Sequence, residues 1–196
     1  MFSVTAEDPI FDDKLLRLSA QTDTFEGYAE SHSRRLATLS DSIASAFNID
    51  PHDRFLLQQT ALIHDIGELD MAREYIGAPR GLTIDEKVDL QRHPVIGEQS
   101  TSKIGLPRAV QLIVRWHHEW WNGSGYPDGL EGEQIPLAAR ILRVADTYAA
   151  LVSPRPYRAA MSPDDARKYL IEWAGIEFDP AVVKAFLALG GNKLIA

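Results

Sequence analysis

The sequence predicts an all-α fold, and three observations support that prediction. Apolar residues recur at helical spacing in one segment after another. No stretch sustains the alternation of apolar and polar residues that a half-buried strand requires. Helix-start signals recur, as at Asp50-Pro51, Ser162-Pro163 and Asp179-Pro180. With 196 residues, 45% of them hydrophobic, the chain is long enough for a single multi-helix bundle with its own core.

Composition narrows the classes of function. The chain has no cysteine, so disulfides and thiolate ligands are excluded, and any metal ligands are nitrogen or oxygen atoms. A formal net charge of −8, without a basic run, argues against broad nucleic-acid binding. No apolar run is long enough to span a bilayer, and residues 1–12 lack the basic and apolar regions of a signal peptide. We therefore predict a cytoplasmic protein.

The predicted domain covers residues 24–190. Residues 1–23 are predicted to be a tail or linker, or the end of a helix from an upstream region, and residues 191–196 a C-terminal tail. The first predicted helix runs from about residue 25 to residue 47, because its apolar residues follow a helical period. His32 lies one turn before Leu36, near the buried edge of this helix.

The second predicted helix begins at Asp50-Pro51 and carries apolar residues into His64-Asp65. The nearby Gly67 suggests that the helix ends there. An imidazole beside a carboxylate begins a metal site, because the carboxylate has two oxygens with which to bridge two ions. Taken alone, the pair is more often a surface or capping arrangement. His52 lies in the exposed first turn and is excluded from the site.

Further short helices follow a predicted loop at residues 71–82. One begins with a capping box at residues 83–86 and ends near His93-Pro94, where the proline disfavours helical geometry. The break could turn the imidazole inward, and the alternative is a histidine at a helix end that packs locally. Another delivers His117-His118 to a loop, residues 122–132, whose glycines prevent the helix from continuing. Adjacent helical residues point about 100° apart, so both histidines reach one centre only if the helix frays at its end.

The next helix opens at Ile135-Pro136 and places Asp146 on its apolar face. A buried carboxylate without a partner is costly. Arg140 or Arg143 could form a structural salt bridge with it, but the histidines elsewhere favour a metal. Two last helices begin at the Ser-Pro and Asp-Pro signals named above.

These candidate residues belong to an ordered set of motifs. The set comprises His32, His64-Asp65, His93-Pro94, His117-His118-Glu119, Gly123-Ser124-Gly125-Tyr126-Pro127, Ile135-Pro136, Ala139-Arg140, Val144-Ala145-Asp146 and Arg155-Pro156-Tyr157-Arg158. It resembles an HD-GYP domain, over roughly residues 24–189, within the HD superfamily of metal-dependent phosphohydrolases. The resemblance implies a multi-helix HD-superfamily bundle with a metal site at its centre, and hydrolysis of the bacterial second messenger cyclic di-GMP.

The predicted metal ligands are His32, His64, Asp65, His93, His117, His118 and Asp146. They are too many for one ion and suit two divalent ions with six-coordinate shells, with iron or manganese favoured over zinc, which usually prefers four ligands. The simplest partition gives one ion the ligands His32, His64, Asp65 and Asp146, and the other ion the remaining three. Asp65 bridges the ions, and a hydroxide held between them is a nucleophile at neutral pH.

The predicted substrate-binding residues are Gly123, Gly125, Tyr126, Pro127, Arg155 and Arg158. The glycine-rich loop looks like the signature that supplies half of the family name, and we expect it to shape the mouth of the site. Trp120, Trp121 or Tyr126 offers a face for guanine stacking, although both tryptophans could instead cover the core. The two arginines either bind phosphate or hold the loop around Ser153-Pro154, and the sequence leaves that choice open.

Two positions depart from the family pattern. Some members with three metals have a glutamate four residues before the first histidine, where this chain has Tyr28. A lysine commonly follows His-Asp-x-Gly, and here the position is Glu68. We therefore expect about two ions per chain and slow hydrolysis. We also expect Glu68 to act with Asp65 as a catalytic residue that touches the metal site, directly or through water, unless it pairs with an arginine such as Arg73.

Three functions stay open. The first is a phosphodiesterase that hydrolyses cyclic di-GMP to linear pGpG, with GMP as a further product left open. The second is a weakly active or inactive cyclic-dinucleotide sensor, and the third is an HD-type hydrolase of another nucleotide. The expected partners are the cyclic dinucleotide, an upstream sensory domain or signalling protein, and a second copy of the chain in a homodimer.

Overall fold

The computed structural model describes residues 13–155 and 158–190. The helices are α1 (Asp13–Phe25), α2 (His32–Ala46), α3 (Pro51–Ile63), α4 (Ile66–Met71), α5 (Ile84–Leu90), α6 (His93–Lys103), α7 (Arg108–Trp116), α8 (Leu137–Leu151), α9 (Pro163–Glu172) and α10 (Pro180–Ala188). Within the described ranges the β structure amounts to isolated bridges, so the all-α prediction is confirmed. None of the described helices has both the length and the apolar character needed to cross a bilayer.

Helix α2 lies at the centre of the bundle and packs against α3 and α8. Leu36 and Ile43 on α2, Leu57 on α3 and Ile141 on α8 are almost completely buried in this core. Burying each such side chain contributes about 1.5–3 kcal/mol. Helix α6 packs between α4 and α7, so the bundle has a second layer built from short helices.

The helix starts predicted from Asp-Pro and Ser-Pro pairs are present. The side chain of Asp50 accepts a hydrogen bond from the His52 amide at 2.8 Å, and that of Asp179 accepts one from the Ala181 amide at 2.8 Å. Ser162 caps α9 in the same way through the Asp165 amide. Each cap satisfies an amide that has no partner inside the helix, and contributes about 1 kcal/mol.

Helix α1 crosses the predicted domain boundary at residue 23. Its Leu15 is buried, and the helix packs against α3 and α4. Near its end, Asp23 accepts hydrogen bonds from the Ser33 hydroxyl at 2.6 Å and the Ser33 amide at 3.1 Å. These bonds tie α1 to the start of α2 and fix the short segment between them. Residues 1–12 and 191–196, which belong to the predicted tails, lie outside the described residues.

Gly67 does not end a helix, and that prediction is wrong. Helix α3 ends at Ile63, and Gly67 lies inside the next short helix, α4. A Cβ atom on Gly67 would lie 2.0 Å from the carbonyl oxygen of His93 and 2.8 Å from the Gly97 nitrogen. The glycine is required because the backbones of α4 and α6 touch there. The space beside it is therefore filled by α6 rather than by a substrate.

Candidate metal centre

The predicted metal ligands come together, and most of them lie at helix ends. His32 is the first residue of α2, and His93 is the first residue of α6. His64 directly follows α3, and His117 directly follows α7. Asp146 is the exception, because it projects from the middle of α8. Separate helices thus deliver their ligands to one point.

The ligand atoms form two groups that meet at Asp65. His32, His64 and Asp146 make one group, and Asp65, His93, His117 and His118 make the other, with ligand atoms within 4.8 Å of one another in each. Oδ2 of Asp65 lies 3.0 Å from Nε2 of His64. Its Oδ1 lies 3.2 Å from Nε2 of His93 and 3.3 Å from Nε2 of His117. Each carboxylate oxygen therefore faces a different group, as a bridging ligand requires.

Backbone carbonyls fix the tautomer of three of the imidazoles. Nδ1 of His64 lies 3.0 Å from the carbonyl oxygen of Ala61. Nδ1 of His93 lies 2.8 Å from the carbonyl oxygen of Leu90, and Nδ1 of His117 lies 2.6 Å from that of Val114. A carbonyl oxygen only accepts, so Nδ1 donates in each case, and Nε2 of the neutral ring carries the lone pair. This is the usual outer support of a metal-binding histidine.

Several inward-facing atoms are buried without a hydrogen-bond partner among the residues that the structure describes. Nε2 of His64 and Oδ1 of Asp65 are among them. Nε2 of His93 and Nε2 of His117 lie 3.3 Å apart, although both rings use Nδ1 as donor. Two lone pairs at that separation repel each other unless a cation lies beside them, and buried polar atoms are rarely left without a partner. The donor set therefore fits a divalent metal centre.

Burial and charge set the protonation of the centre. Burial lowers the pKa of His117 and of His118, which favours the neutral ring that binds metals. Burial would also lower the pKa of His64, but the charges of Asp65 and Asp146 hold it well above the ordinary value. Burial opposes ionisation of Asp65, yet the charge of His64 and the neighbouring imidazoles keep its pKa well below the usual range. Asp65 is thus a carboxylate at neutral pH.

Asp146 is paired with histidine rather than arginine. Its Oδ1 lies 3.2 Å from Nε2 of His32 and 3.7 Å from Nε2 of His64. Arg140 instead pairs with Asp179, and Arg143 pairs with Glu177. The structural salt bridge considered for Asp146 is therefore absent, and its carboxylate is directed to the imidazoles.

His118 is held differently from the other histidines. Nη1 of Arg143 lies 2.9 Å from Nδ1 of His118. An arginine only donates, so Nδ1 accepts, and Nε2 of the neutral ring carries the hydrogen. The ring also stacks on Tyr126, with centroids 4.9 Å apart. Coordination through Nε2 therefore requires this arginine contact to change.

The glycine-rich loop is anchored by Glu119. This buried carboxylate accepts hydrogen bonds from the amides of Asp128, Gly129 and Leu130 at 2.7, 3.2 and 3.0 Å. A Cβ atom on Gly125 would lie 2.2 Å from the Trp120 nitrogen, so the loop folds back closely onto the segment that follows His118. These contacts hold the loop beside the metal centre.

A cavity of about 280 Å³ opens onto the centre. Of the residues predicted to bind substrate, Tyr126 and Arg155 line it, whereas Gly123, Gly125, Pro127 and Arg158 are not among its lining residues. Asp65, His93 and Glu68 also line it. The cavity is thus the route by which a ligand reaches the metal centre.

The two tryptophans do not line the cavity. Trp120 packs edge-on against Trp173, with ring centroids 6.0 Å apart. Trp121 lies beneath the Arg140 guanidinium, which is 5.6 Å from its ring centroid. Among the aromatic candidates for base stacking, Tyr126 is the one that lines the cavity. Both tryptophans therefore contact side chains away from the cavity, and their covering of the core stays a prediction.

The two arginines predicted to bind substrate, Arg155 and Arg158, make different contacts. Nη1 of Arg155 donates to the Glu26 carbonyl at 2.7 Å, and its guanidinium lies 3.5 Å from the Tyr28 ring centroid. Arg158 donates to the Ala150 carbonyl at 2.7 Å, which holds the end of α8. The backbones of Arg155 and Arg158 also bond to each other. Pro156 and Tyr157 of the same motif lie outside the described residues.

Comparison with known proteins identifies the family. The family model described as "HD domain" matches residues 10–182. The chain belongs to the HD-domain family. Among its relatives, the cyclic di-GMP phosphodiesterase response regulator RpfG of Xanthomonas campestris is 37% identical over 88% of this chain and 46% of its own length. The 3'3'-cGAMP-specific phosphodiesterase 3 of Vibrio cholerae is 37% identical over 78% of this chain and 33% of its own length. The resemblance to HD-GYP domains is confirmed.

Solved structures support the fold of this HD domain. The crystal structure of a cyclic GMP-AMP specific phosphodiesterase of V. cholerae has a TM-score of 0.75 at 20% identity, over 93% of this chain and 50% of that chain. The HD domain of the phosphodiesterase PgpH of L. monocytogenes has a TM-score of 0.59 at 14% identity, over 91% of this chain and 97% of that chain. The chain spans less than half the length of the curated relatives named above.

Sequence reasoning missed one of the carboxylates that line the cavity of the HD domain and named another. Glu26, in the turn after α1, is buried and lines the cavity beside the centre. Its only sequence signal is its position six residues before His32. Glu68 is buried and also lines the cavity, as the prediction that it touches the site requires. It does not pair with Arg73, which pairs with Asp89 instead.

Proposed function

We propose that this HD domain is a metal-dependent phosphodiesterase that hydrolyses cyclic di-GMP to linear pGpG. The observation that carries the proposal is the position of Asp65, which lines the cavity and whose two oxygens face two separate ligand groups. The family is metal-dependent, and several relatives bear the name cyclic di-GMP phosphodiesterase. The proposal includes a second hydrolysis step, in which pGpG is converted to GMP.

Two divalent ions fit the two ligand groups. His32, His64 and Asp146 would hold one ion, and His93, His117 and His118 the other, with Asp65 shared. The mixed nitrogen and oxygen set favours iron or manganese. When bound, such a pair supplies a nucleophile at neutral pH and polarises the phosphodiester oxygens.

The chain's own residues orient the substrate. Tyr126 presents its ring to the cavity and stacks on His118, so it offers an aromatic face for a guanine base. Arg155 brings a guanidinium to the cavity wall, although it already contacts Glu26. Lys87 adds positive charge to the lining, whereas Arg80, which also lines the cavity, is paired with Glu86. These cations favour a phosphodiester in a chain whose net charge is −8.

A second candidate substrate is 3'3'-cGAMP. Relatives from V. cholerae at 37%, 31% and 28% identity are named 3'3'-cGAMP-specific phosphodiesterases. Cyclic di-GMP and 3'3'-cGAMP differ in one base, so the same metal centre would cleave either. The aromatic face and the polar groups of the cavity would decide between them.

A turnover assay on metal-loaded protein tests the proposal. Cyclic di-GMP, 3'3'-cGAMP and cyclic di-AMP are supplied separately, and the products are resolved by chromatography. We expect pGpG from cyclic di-GMP, and no product after the metals are removed with a chelator. Binding of cyclic di-GMP without product would support a sensor. Cleavage of another nucleotide alone would reassign the substrate.

The remaining expectations concern the cellular setting. The cytoplasmic location, the upstream sensory domain or signalling partner and the homodimer stay predictions. Size-exclusion chromatography with light scattering would test the last of these.

A further inference from the structure

We propose that Glu26, Asp65 and Glu68 form a third cation site, which takes a hard divalent ion such as Mg²⁺ or Mn²⁺. The proposal rests on the metal centre of the proposed function, because Asp65 belongs to both. It differs from that centre in its ligands, since all of them are carboxylate oxygens.

Three elements bring these carboxylates together. Glu26 comes from the turn after α1, Asp65 from the junction of α3 and α4, and Glu68 from α4 itself. One oxygen from each lies within 4.8 Å of the others. Their exposed fractions are 4%, 9% and 8%. Three acidic groups are therefore gathered where little water reaches them.

Two of these carboxylates are only partly offset by neighbouring groups of the described residues. Oε1 of Glu26 is buried and has no hydrogen-bond partner in residues 13–155 and 158–190. The side chain of Glu68 makes no hydrogen bond or ion pair with the described part of the chain. Burial of a carboxylate without partners is strongly unfavourable. Such groups are retained when they bind a cation.

Arg155 neutralises only part of this charge. Its Nη2 lies 3.4 Å from Oε2 of Glu26, which leaves Oε1 to the cluster. The same guanidinium is fixed by the Glu26 carbonyl and the Tyr28 ring. Arg155 and the imidazole of His64 offset part of the charge of the three carboxylates, and a divalent ion would offset the rest.

The ligand chemistry selects the kind of ion. Carboxylate oxygens suit Mg²⁺ and Mn²⁺, whereas imidazoles suit iron and the later transition metals. Mg²⁺ is commonly bound by one or two carboxylates together with waters and substrate phosphates. Glu26, Asp65 and Glu68 all line the cavity, so an ion held there would face a phosphodiester directly.

The site also revises an expectation from the sequence. Tyr28 indicated about two ions per chain, because it replaces a glutamate at that position. In the structure Tyr28 stacks on His32 with ring centroids 4.1 Å apart, and the carboxylate comes from Glu26 two residues earlier. The acid is displaced along the chain rather than lost.

Metal binding without substrate tests the proposal. Protein with its imidazole sites loaded with iron is titrated with Mn²⁺, and bound Mn²⁺ is measured by equilibrium dialysis. We expect one further ion on the wild type, and at least tenfold weaker binding of that ion by Glu26→Gln and by Glu68→Gln. Glu74→Gln, an exposed glutamate, is the matched control and should bind as the wild type does. Iron content should stay unchanged in all variants.

Several outcomes overturn the third site. They are a wild type that takes up no Mn²⁺ beyond the iron, variants that bind Mn²⁺ as tightly as the wild type, or variants that lose iron instead. A wild type that takes up no Mn²⁺ would mean that protons shared among the three carboxylates, rather than a cation, offset their buried charge. Glu68→Lys provides a second test if the glutamine variants fold poorly, because its ammonium group replaces the ion and should abolish Mn²⁺ uptake. Failure of cyclic di-GMP hydrolysis would not affect this measurement.

Discussion

The two sides of Asp65 are built in different ways. On the nitrogen side, His64, His93 and His117 each donate Nδ1–H to the carbonyl three residues earlier. On the oxygen side, Glu26 and Glu68 have no comparable support, since Glu26 is held by burial and by Arg155, and Glu68 by burial. The nitrogen side is therefore organised by local backbone, and the oxygen side by tertiary packing. Substitutions that change charge should therefore affect the oxygen side most, and substitutions that displace the backbone should affect the nitrogen side most.

The largest expected effect comes from the residue that both sides share. Asp65→Ala removes the bridge, and no neighbour on the nitrogen side supplies another carboxylate to both groups. We expect loss of bound metal and a fall in turnover of at least about 10³-fold, since metal activation supplies several kcal/mol. Metal analysis and turnover measurements check this.

His52→Ala is the control for that variant. His52 is exposed in the first turn of α3, and its imidazole has no role in the centre. Metal content and turnover should match the wild type. An Asp65→Ala protein that kept its ions and normal turnover would contradict the bridging role.

The sequence predicted the nitrogen side better than the oxygen side, and the reason is physical. His64 and His117 lie where apolar helical runs end, so their positions follow from local periodicity. His32 was predicted inside a helix of residues 25–47, whereas the structure begins α2 at His32. Glu26 and Glu119 owe their burial to segments folded against them, and no local pattern reports that contact. Gly67 was misread for the same reason, because the atom that excludes its Cβ belongs to His93 on another helix.

Gly67→Ala would test the geometry of the nitrogen side without changing a ligand. The added methyl group overlaps the His93 carbonyl, so α6 has to move away from α4 and takes His93 with it. Overpacking of this kind costs about 1–3 kcal/mol. We expect that loss in urea unfolding, together with weaker metal binding.

Gly81→Ala is the matched control, because no atom lies within 4 Å of its Cβ position. It should leave both the free energy of unfolding and the metal affinity unchanged. Equal effects of the two substitutions would show that the close approach of α4 and α6 does not position His93.

The oxygen side makes stability depend on pH in metal-free protein. Burial, followed by the charges of Asp65 and Glu68, raises the pKa of Glu26 well above its ordinary value. The folded state then holds this proton more tightly than the unfolded state. The free energy of unfolding therefore falls as the pH rises from the ordinary value toward the raised one, by up to about 1.4 kcal/mol per pH unit.

Glu26→Gln removes this dependence. In chelator, the variant should gain stability relative to the wild type between about pH 5 and about pH 8, as measured by urea unfolding. Glu74→Gln should show no such trend. A stability difference that is the same at both pH values would mean that Glu26 does not carry the buried charge.

The smallest expected effect concerns Glu68→Lys, which converts the oxygen side to the residue common at this position in the family. Wild-type turnover should depend on added Mg²⁺, because three carboxylates lining the cavity otherwise repel a phosphodiester. The lysine carries its own positive charge to the same place. At low Mg²⁺ the variant should therefore turn over cyclic di-GMP about three- to tenfold faster than the wild type, at the low end of electrostatic focusing effects.

The Mg²⁺ dependence separates this account from a simple surface substitution. Turnover by Glu68→Lys should no longer rise with Mg²⁺, while its iron content equals that of the wild type. If the variant kept the wild-type dependence on Mg²⁺ and cleaved no faster, Glu68 would neither bind a cation nor repel the substrate. The difference between the two sides of Asp65 would then be one of packing alone, because the nitrogen side would carry all the metal chemistry.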